Sequence, residues 1–402
     1  MAPDLDSAHG RYRATRFFAS LDGLRALSIL AVIWHHTAGA GAPWALLHRG
    51  NRGVDLFFVI SGFLIVTLLL RAKAAHGTFS LPKFWGRRSL RILPVYFAVL
   101  GLYTALVYAL ERSPVDRHGF FVHWPAFATF TSNWFVSLDN PRVIFYFAWS
   151  LAAEEQFYLL WPWCERYLSG LWPLLAAALA LALSQGAGLA SFPLPPDQLS
   201  LPLRMLSSVP AAILLGVILA HLLHSPAGFR ALAAVTGRRG SAAGALVLAL
   251  VALGVSPALG AGADLAIALA FTLLVSACVI RPDHDLARIL TLPAIAWIGQ
   301  VSYGMYLLHM LSVNAARRLL AVLHLDSPYV VFLGGTLLAV IVASLSYRYF
   351  ERYFLQLKDR FFRDDARAPT HPPLPLLRPD PAARGPGIIP PASGQSAGPA
   401  QV

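Results

Sequence analysis

The chain has 402 residues, of which 57% are hydrophobic and only 13% are charged. A soluble globular protein carries about 25% charged residues, so this composition excludes an ordinary soluble domain and predicts an all-α, polytopic integral membrane protein. The formal net charge of +12 could indicate nucleic-acid binding, but basic residues also collect in the cytoplasmic loops of membrane proteins. Because no polar, basic domain is available to bind nucleic acid, we expect no such partner.

Apolar windows of roughly 18–22 residues, the length that crosses a bilayer, recur along the whole chain. They predict about ten transmembrane helices. Most Lys and Arg residues fall in the alternate connections that would face the cytoplasm, and this asymmetry predicts that both termini are cytoplasmic. The windows lie near 20–40, 54–71, 91–110, 143–163, 171–190, 205–223, 243–259, 262–280, 293–313 and 330–350.

The windows divide the chain into an N-terminal cytoplasmic segment (1–15), a membrane domain (16–360) and a cytoplasmic tail (361–402). The tail is rich in Pro, Gly and Ala, which predicts disorder. The longest outer connection, 111–142, is aromatic, and we expect it to be ordered and to dip back towards the bilayer as a cap over a cavity. The two cysteines lie in or beside apolar stretches, so neither a disulfide framework nor a metal site is expected.

The first polar motif pairs Arg25 with His36 inside the first apolar window. Eleven helical steps bring the second residue about 20° past three full turns, so the two side chains share a face roughly 16 Å apart along the axis. Ionisable residues in hydrocarbon usually indicate function. The alternative is that Arg25 extends to the interface while His36 packs in a polar helix contact. His35 points about 100° away and is expected to have a secondary role.

The second motif runs from Gly53 to Leu64 and contains Asp55, Ser61 and Gly62. The two small residues allow another helix to approach closely. Asp55 lies at the outer end of its helix, where a carboxylate could orient and stabilise the imidazole of His36. It could equally be an N-terminal charge that complements the helix dipole.

The third motif, from Lys83 to Pro94, is a basic cluster at the predicted cytoplasmic surface. Arg88 and Arg91 are three residues apart and can face the same way. They could set topology and contact anionic membrane lipids. The guanidinium groups could instead form a phosphate clamp, for which their planar shape is suited.

Two further motifs place polar side chains inside apolar windows. Glu154 and Glu155 are adjacent carboxylates that point about 100° apart on a helix, and their interior position favours function for one of them. Ser302, Tyr306 and His309 share a helix face, which could line a polar cavity or simply hydrogen-bond a neighbouring helix.

These five segments, in this order, closely resemble the acyltransferase 3 family of bacterial integral-membrane O-acyltransferases, which act on O-antigens, other surface glycans and some secreted small molecules. The resemblance covers about residues 16–355. It makes Arg25 and His36 the main functional pair, and it matches Arg88 and Arg91 to the family's paired-arginine motif. Many members end their core with Glu-x-Pro-Phe, whereas residues 351–354 of this chain lack the proline.

The resemblance implies transfer of an acyl group, by default acetyl, from cytoplasmic acyl-CoA to a hydroxyl of a surface glycan, a lipid-linked saccharide or a secreted metabolite. The protein would be a multi-pass protein of the inner (plasma) membrane and would need no metal. Some members carry an appended SGNH hydrolase-like domain. This sequence contains none, so the membrane unit is expected to complete the reaction or to pass the acyl group to a second acyl-transfer or glycan-assembly partner.

Acyl transfer to an alcohol requires a base and stabilisation of an oxyanion. The predicted catalytic residues are His36 as the base, with Arg25, Asp55 and Glu154, and the predicted acyl-CoA-binding residues are Arg25, Arg88 and Arg91.

Two other functions fit the residues. A transporter or flippase for a polar or lipid-linked molecule would also have about ten helices and interior charges, but it would favour internal inverted repeats, which the sequence does not display. A non-enzymatic member of a glycan-assembly complex would depend on loop surfaces and would tolerate the loss of His36.

Overall fold

The computed structural model describes residues 5–38, 45–138, 143–191, 198–325 and 327–362. Every regular element in these ranges is helical, which confirms the predicted all-α class. Residues 363–402 of the tail predicted to be disordered lie outside the described residues.

Eighteen α-helices are assigned in the described ranges, together with short 3₁₀ and π-helical turns. The first nine are α1 (Leu5–Ala14), α2 (Ala19–Ala38), α3 (Gly53–His76), α4 (Leu81–Leu110), α5 (Pro114–Ala128), α6 (Ser132–Phe135), α7 (Trp149–Tyr167), α8 (Trp172–Ser191) and α9 (Leu201–Ser207). The others are α10 (Ala211–His224), α11 (Pro226–Thr236), α12 (Ser241–Leu259), α13 (Ala263–Ile280), α14 (Ala287–Leu290), α15 (Pro293–Gln300), α16 (Ser302–Val322), α17 (Pro328–Ser346) and α18 (Arg352–Phe361). The 3₁₀ turns are Ala45–Arg52, Tyr146–Ala148 and Gly260–Gly262, and the π turn is Tyr347–Glu351.

Several of these helices are long and apolar enough to cross a bilayer, as a multi-pass membrane protein requires. Within the described ranges five pass by themselves, or up to eight if each of three bent helix pairs counts as one span. The five are His48–His76, Leu81–Leu110, Trp172–Ser191, Ala263–Ile280 and Pro328–Lys358. The pairs are α1 with α2, α9 with α10 and α11 with α12, bent by 69°, 51° and 77°.

The predicted count of ten is therefore not confirmed and stays a prediction, as does the cytoplasmic location of both termini. Two of the predicted windows correspond to α7 and α16, which are 19 and 21 residues long but fall outside the apolar set. These two helices carry the polar residues of the fourth and fifth motifs, and such residues lower the hydropathy of a helix that has the length to span.

Helix α2, which carries the first motif, lies at the centre of the packing. It contacts α3, α13, α14, α15, α16 and α17, and its residues Leu24, Ile29 and Ile33 are completely buried. Because neighbouring helices surround α2, its polar residues face protein rather than lipid, which is where ionisable groups are tolerated in a membrane.

Glycines set the closest helix approaches. A Cβ atom on Gly62 of α3 would overlap the carbonyl oxygen of Ile213 on α10, and one on Gly216 would overlap the carbonyl oxygen of Val59 in return. The predicted close approach at Gly62 is thus confirmed. A Cβ atom on Gly299 would overlap the backbone of Asp22, so α15 lies directly against the start of α2.

The described part of the long outer connection, up to residue 138, is ordered as α5 and α6, as its aromatic composition predicted. Phe120 and Phe127 are buried, and the Tyr96 hydroxyl of α4 donates a hydrogen bond of 2.8 Å to the Phe127 carbonyl oxygen. Residues 139–142 lie outside the described residues, and a capping role stays a prediction.

Candidate functional site

Arg25 and His36 both lie on α2, and the shared face that their spacing predicts stays a prediction. Each belongs to a different group of polar side chains. We call them the imidazole cluster (His36, His309, Tyr146, Tyr306 and Ser150) and the guanidinium cluster (Arg25, Arg88 and Arg91 with the carboxylates Asp22, Glu154 and Glu155).

The geometry of His36 assigns its ring protons. Nδ1 lies 2.7 Å from the carbonyl oxygen of Val32 one turn earlier. A carbonyl can only accept, so Nδ1 carries a proton. In the neutral ring Nε2 is then an acceptor, and it receives a hydrogen bond of 2.9 Å from the hydroxyl of Tyr146. The half-buried imidazole therefore presents its lone pair to an O–H group, which is the arrangement that general-base catalysis on an alcohol requires.

A second imidazole lies against the first. The rings of His36 and His309 are 4.8 Å apart between centroids and meet edge to face at 70°. His309 is completely buried, and its Nδ1 lies 2.5 Å from the carbonyl oxygen of Tyr306. Its Nε2 has no hydrogen-bond partner among the described residues.

Hydrogen bonds of hydroxyl groups connect the helices of the imidazole cluster. The Tyr306 hydroxyl hydrogen-bonds to the Ser150 Oγ at 2.6 Å and donates to the Phe147 carbonyl oxygen at 3.0 Å. These bonds join α16 to the start of α7. The shared face predicted for Tyr306 and His309 is therefore buried, and Tyr306 makes the predicted kind of interhelical hydrogen bond.

The guanidinium cluster gathers residues from α2, α4 and α7. Arg25 interacts electrostatically with Asp22, Glu154 and Arg91, and Arg88 interacts with Arg91 and both glutamates. Four of the predicted site residues, Arg25, Arg88, Arg91 and Glu154, thus lie in one neighbourhood. No pattern in the sequence joined α7 to the arginines, because contacts between distant helices are set by the tertiary fold.

Glu154 is fixed by hydrogen bonds. Its Oε1 accepts from the hydroxyls of both Ser61 and Tyr158. The guanidinium carbon of Arg88 lies 5.0 Å from the centre of the Tyr158 ring, a cation–π contact that holds this arginine beside the carboxylate.

The N–H groups of the three arginines are not used within the described chain. Arg25, Arg88 and Arg91 are half-buried, and none of them donates a hydrogen bond to another described residue. Arg71 behaves differently, because it donates to the carbonyl oxygens of Thr15 and Tyr12 at 2.5 and 2.9 Å. The guanidinium cluster therefore holds unused donors in a charged site, which suits an anionic ligand.

Asp55 is paired with an arginine of the turn that precedes its helix. Its carboxylate accepts from Arg52 at 3.4 Å, and the same guanidinium pairs with Asp264 of α13 at 2.5 Å. Both the predicted orientation of the His36 imidazole by Asp55 and the catalytic role of this carboxylate stay predictions.

His35 is directed away from the site, as predicted. Its Nδ1 lies 3.2 Å from the carbonyl oxygen of His48 in the 3₁₀ turn that follows α2, and its ring is 5.1 Å from that of His36.

Tyr146 is the site residue that the sequence did not reveal. It lies in the predicted 143–163 window, but no motif spacing relates it to α2, which is 110 residues away. The possible signal was the density of aromatic residues just before Trp149, which is equally typical of a buried helix start.

A cavity of about 240 Å³ lies outside both clusters. Its wall includes Lys73, Glu165 and His221, and the buried Glu165 accepts a hydrogen bond of 2.8 Å from His221. Lys73 donates hydrogen bonds to the carbonyl oxygens of Glu165 and Leu168. The polar groups of the cavity wall therefore bind other groups of the same wall. In the described ranges no group of three or more His, Cys, Asp or Glu side chains could hold a metal ion.

Proteins with similar sequences have names that refer to O-acetyl transfer, as the motif resemblance implied. The peptidoglycan O-acetyltransferase of Listeria monocytogenes is 28% identical over 382 residues, covering 86% of this chain and 58% of the relative. A Staphylococcus aureus (strain COL) protein named provisionally as an O-acetyltransferase is also 28% identical over 373 residues, with the same coverage. A Bacillus subtilis protein named provisionally as a peptidoglycan O-acetyltransferase is 29% identical over 339 residues, covering 73% of this chain and 48% of the relative.

The chain thus spans about half of the length of these relatives. No solved structure matches it. The family model described as an acyltransferase domain matches residues 18–348, a range that includes both clusters. The chain therefore belongs to the acyltransferase 3 family.

Proposed function

We propose that this protein is a membrane O-acyltransferase that moves an acyl group, by default acetyl, from acyl-CoA to a hydroxyl of a glycan. The observation that carries the proposal is the hydrogen bond from the Tyr146 hydroxyl to Nε2 of His36, with Nδ1 fixed on the Val32 carbonyl. In the neutral ring this nitrogen lies where it can accept a proton from an alcohol.

In the proposed step the acceptor hydroxyl takes the place of Tyr146 at Nε2 of His36. The nitrogen removes the hydroxyl proton while the oxygen attacks the thioester carbonyl carbon. A C–O bond forms, the C–S bond breaks, and the imidazolium returns its proton to the departing thiolate. The products are the acyl ester and free CoA, so no other reactant is needed.

The guanidinium cluster would bind the phosphates of the donor. Planar guanidinium groups bind phosphate oxygens through paired, charge-assisted hydrogen bonds. Arg25, Arg88 and Arg91 have N–H groups that no described residue accepts, whereas Asp22, Glu154 and Glu155 keep the arginines in place before the donor arrives. The pantetheine arm would then extend along α2 towards His36, over roughly 16 Å of helix rise.

This arrangement implies a direction across the membrane. The guanidinium cluster would lie towards the cytoplasm, with both termini on that side, and His36 towards the outer face of the inner membrane. The acceptor would enter from outside. Two relatives have names that refer to peptidoglycan, which favours a cell-envelope glycan over a secreted metabolite. A glycan-assembly partner, or a second partner that carries the acyl group onward, stays part of this proposal.

The test uses the purified full-length protein in lipid nanodiscs. Acetyl-CoA is the donor, and the acceptor is envelope glycan that has been prepared from a deletion strain and stripped of esters by mild alkali. Thiol release measures donor consumption, and alkali-labile acetate on the glycan measures transfer. Equal amounts of both products, formed only when donor and acceptor are present together, are expected.

A transporter or flippase would give a different result. It would move a lipid-linked glycan across the membrane of a sealed vesicle without releasing CoA thiol. Such movement, with no acetate ester on the glycan, would reject the proposed acyltransferase.

A further inference from the structure

His309, the second imidazole of the imidazole cluster, has a buried ring nitrogen without a hydrogen-bond partner among the described residues. His309 is completely buried, and its Nδ1 must carry a proton because it faces the Tyr306 carbonyl oxygen at 2.5 Å. Nε2 of the neutral ring is then a lone-pair acceptor, and it has no partner among the described residues. Buried polar atoms are nearly always hydrogen-bonded, so an exception calls for a cause.

Packing alone does not explain this histidine. Its ring lies against apolar or aromatic neighbours, with Phe147 at 5.1 Å and Tyr306 at 5.5 Å between ring centroids. An apolar side chain would fill the same space without burying an unsatisfied nitrogen. The two histidines also have the same arrangement, since each fixes Nδ1 on a carbonyl of its own helix and leaves Nε2 as an acceptor.

The difference between them is the partner of Nε2. The Tyr146 hydroxyl donates a hydrogen bond to Nε2 of His36, whereas no described residue donates one to Nε2 of His309. The adjoining residues Tyr146 and Phe147 of one 3₁₀ turn contact the two rings, the first on His36 and the second on His309. An acceptor that displaces this turn to reach His36 would therefore uncover His309 as well.

We propose that His309 is an acceptor-binding residue: its Nε2 accepts a hydrogen bond from a second donor group of the glycan, a hydroxyl or amide N–H close to the hydroxyl that His36 deprotonates. This inference rests on the proposed function. The ligand that binds both imidazoles would be a polar molecule with at least two neighbouring hydrogen-bond donors. A simple alcohol would satisfy His36 alone.

Two substitutions separate binding from structure. His309→Asn keeps a donor near the position of Nδ1 but has no atom at the position of Nε2, whereas His309→Gln places an amide near the position of Nε2. Met305→Leu is the matched control, because Met305 is equally buried on the same helix and has no polar role. The readout is the concentration of alkali-stripped envelope glycan that gives half-maximal acetate transfer from saturating acetyl-CoA.

His309→Asn is expected to raise this concentration about tenfold, the effect of losing one hydrogen bond to the acceptor, with a smaller change in the maximal rate. His309→Gln should stay within about threefold of the wild type by the same reasoning, as should Met305→Leu. A purely structural His309, needed for its bond to Tyr306, would give the opposite order, with Asn closer to the wild type than Gln.

Two results would overturn the inference: wild-type glycan dependence in His309→Asn, or a better-preserved dependence in Asn than in Gln. Either result leaves the proposed function intact if the wild type still transfers acetate and His36→Ala does not. Failure of the wild type to transfer acetate would instead reject the proposed function, on which this inference depends.

Discussion

The two clusters on α2 differ in the kind of polarity that they carry. The guanidinium cluster combines three arginines with three carboxylates, and its arginine N–H groups are unused within the described chain. The imidazole cluster instead contains two histidines, two tyrosines and a serine, and hydrogen bonds of 2.5–2.9 Å engage three of its four ring nitrogens and its hydroxyls.

This difference matches two separate tasks along one helix. A charged donor such as the phosphate portion of CoA is held best by fixed charges, which also stabilise each other in the absence of the ligand. Proton transfer from an alcohol needs a neutral base, and neighbouring charges would bias its protonation state. Separating the clusters along α2 therefore allows each environment to serve its own step.

The largest expected effect comes from removing the base of the imidazole cluster. His36→Ala should lower acetate transfer by about 10²–10⁴-fold, because general-base catalysis contributes on that scale. His35→Ala is the control, since His35 is adjacent but directed to the His48 carbonyl. Thiol release and glycan acetate measure the effect in nanodiscs. Transfer at the normal rate in His36→Ala would show that the base is wrongly assigned.

A smaller effect is expected when the guanidinium cluster loses its planar groups. Arg25→Lys and Arg88→Lys should each raise the half-saturating concentration of acetyl-CoA by about 10–100-fold, because a charge-assisted hydrogen-bond pair is lost while the charge remains. Arg71→Lys is the control, since Arg71 donates its N–H groups to the carbonyl oxygens of Tyr12 and Thr15. Unchanged donor dependence in both variants would make these arginines structural.

Packing beneath the guanidinium cluster can be disturbed without touching the imidazole cluster. In Gly299→Ala the new methyl group would overlap the backbone of Asp22, at a cost of about 1–3 kcal/mol in the free energy of unfolding. Gly101→Ala is the matched control, because nothing lies within 4 Å of a Cβ atom there. Thermal unfolding in detergent should give a lower midpoint for Gly299→Ala only, and an unchanged midpoint would refute the close contact.

The smallest effect is expected at Asp55, which lies in neither cluster. Asp55→Asn should lower acetate transfer by less than about threefold, because its ion pair with Arg52 is partly exposed and such pairs contribute little. Asp264→Asn tests the other partner of Arg52. If only Asp55→Asn reduced transfer as strongly as His36→Ala, the carboxylate would couple to the imidazole during turnover, as the sequence motif suggested.

The parts of the site that lie within one helix were predictable. Hydropathy predicted the single helix that carries Arg25 and His36, and the three-residue spacing of Arg88 and Arg91 predicted neighbours on one helix, α4. The interior carboxylate Glu154 was also recognisable, because charge in an apolar helix is costly and needs partners. Ser61 belongs to the second motif and Tyr158 lies one turn after Glu154, but their common bond to Glu154 was not predictable.

Contacts between distant helices were not predictable, and the partners of Asp55 are one example. Asp55 and His36 both approach the outer ends of their predicted helices, which made their pairing plausible, yet the carboxylate turns to Arg52. The opposite case is Tyr146, which belonged to no motif and supplies the hydroxyl on His36. Rotation of each helix about its axis decides such contacts, and one sequence does not encode that rotation in a readable pattern.

The sequence by itself determined the membrane class, the helical fold and the residues that carry charge inside it, because hydropathy and the 3.6-residue period are local properties of the chain. Only the tertiary structure decided that those residues form a guanidinium cluster and an imidazole cluster, and that His36 faces Tyr146 and His309. Glycines at Gly62 and Gly299 let backbones meet, and the resulting helix packing fixed which side chains share a site.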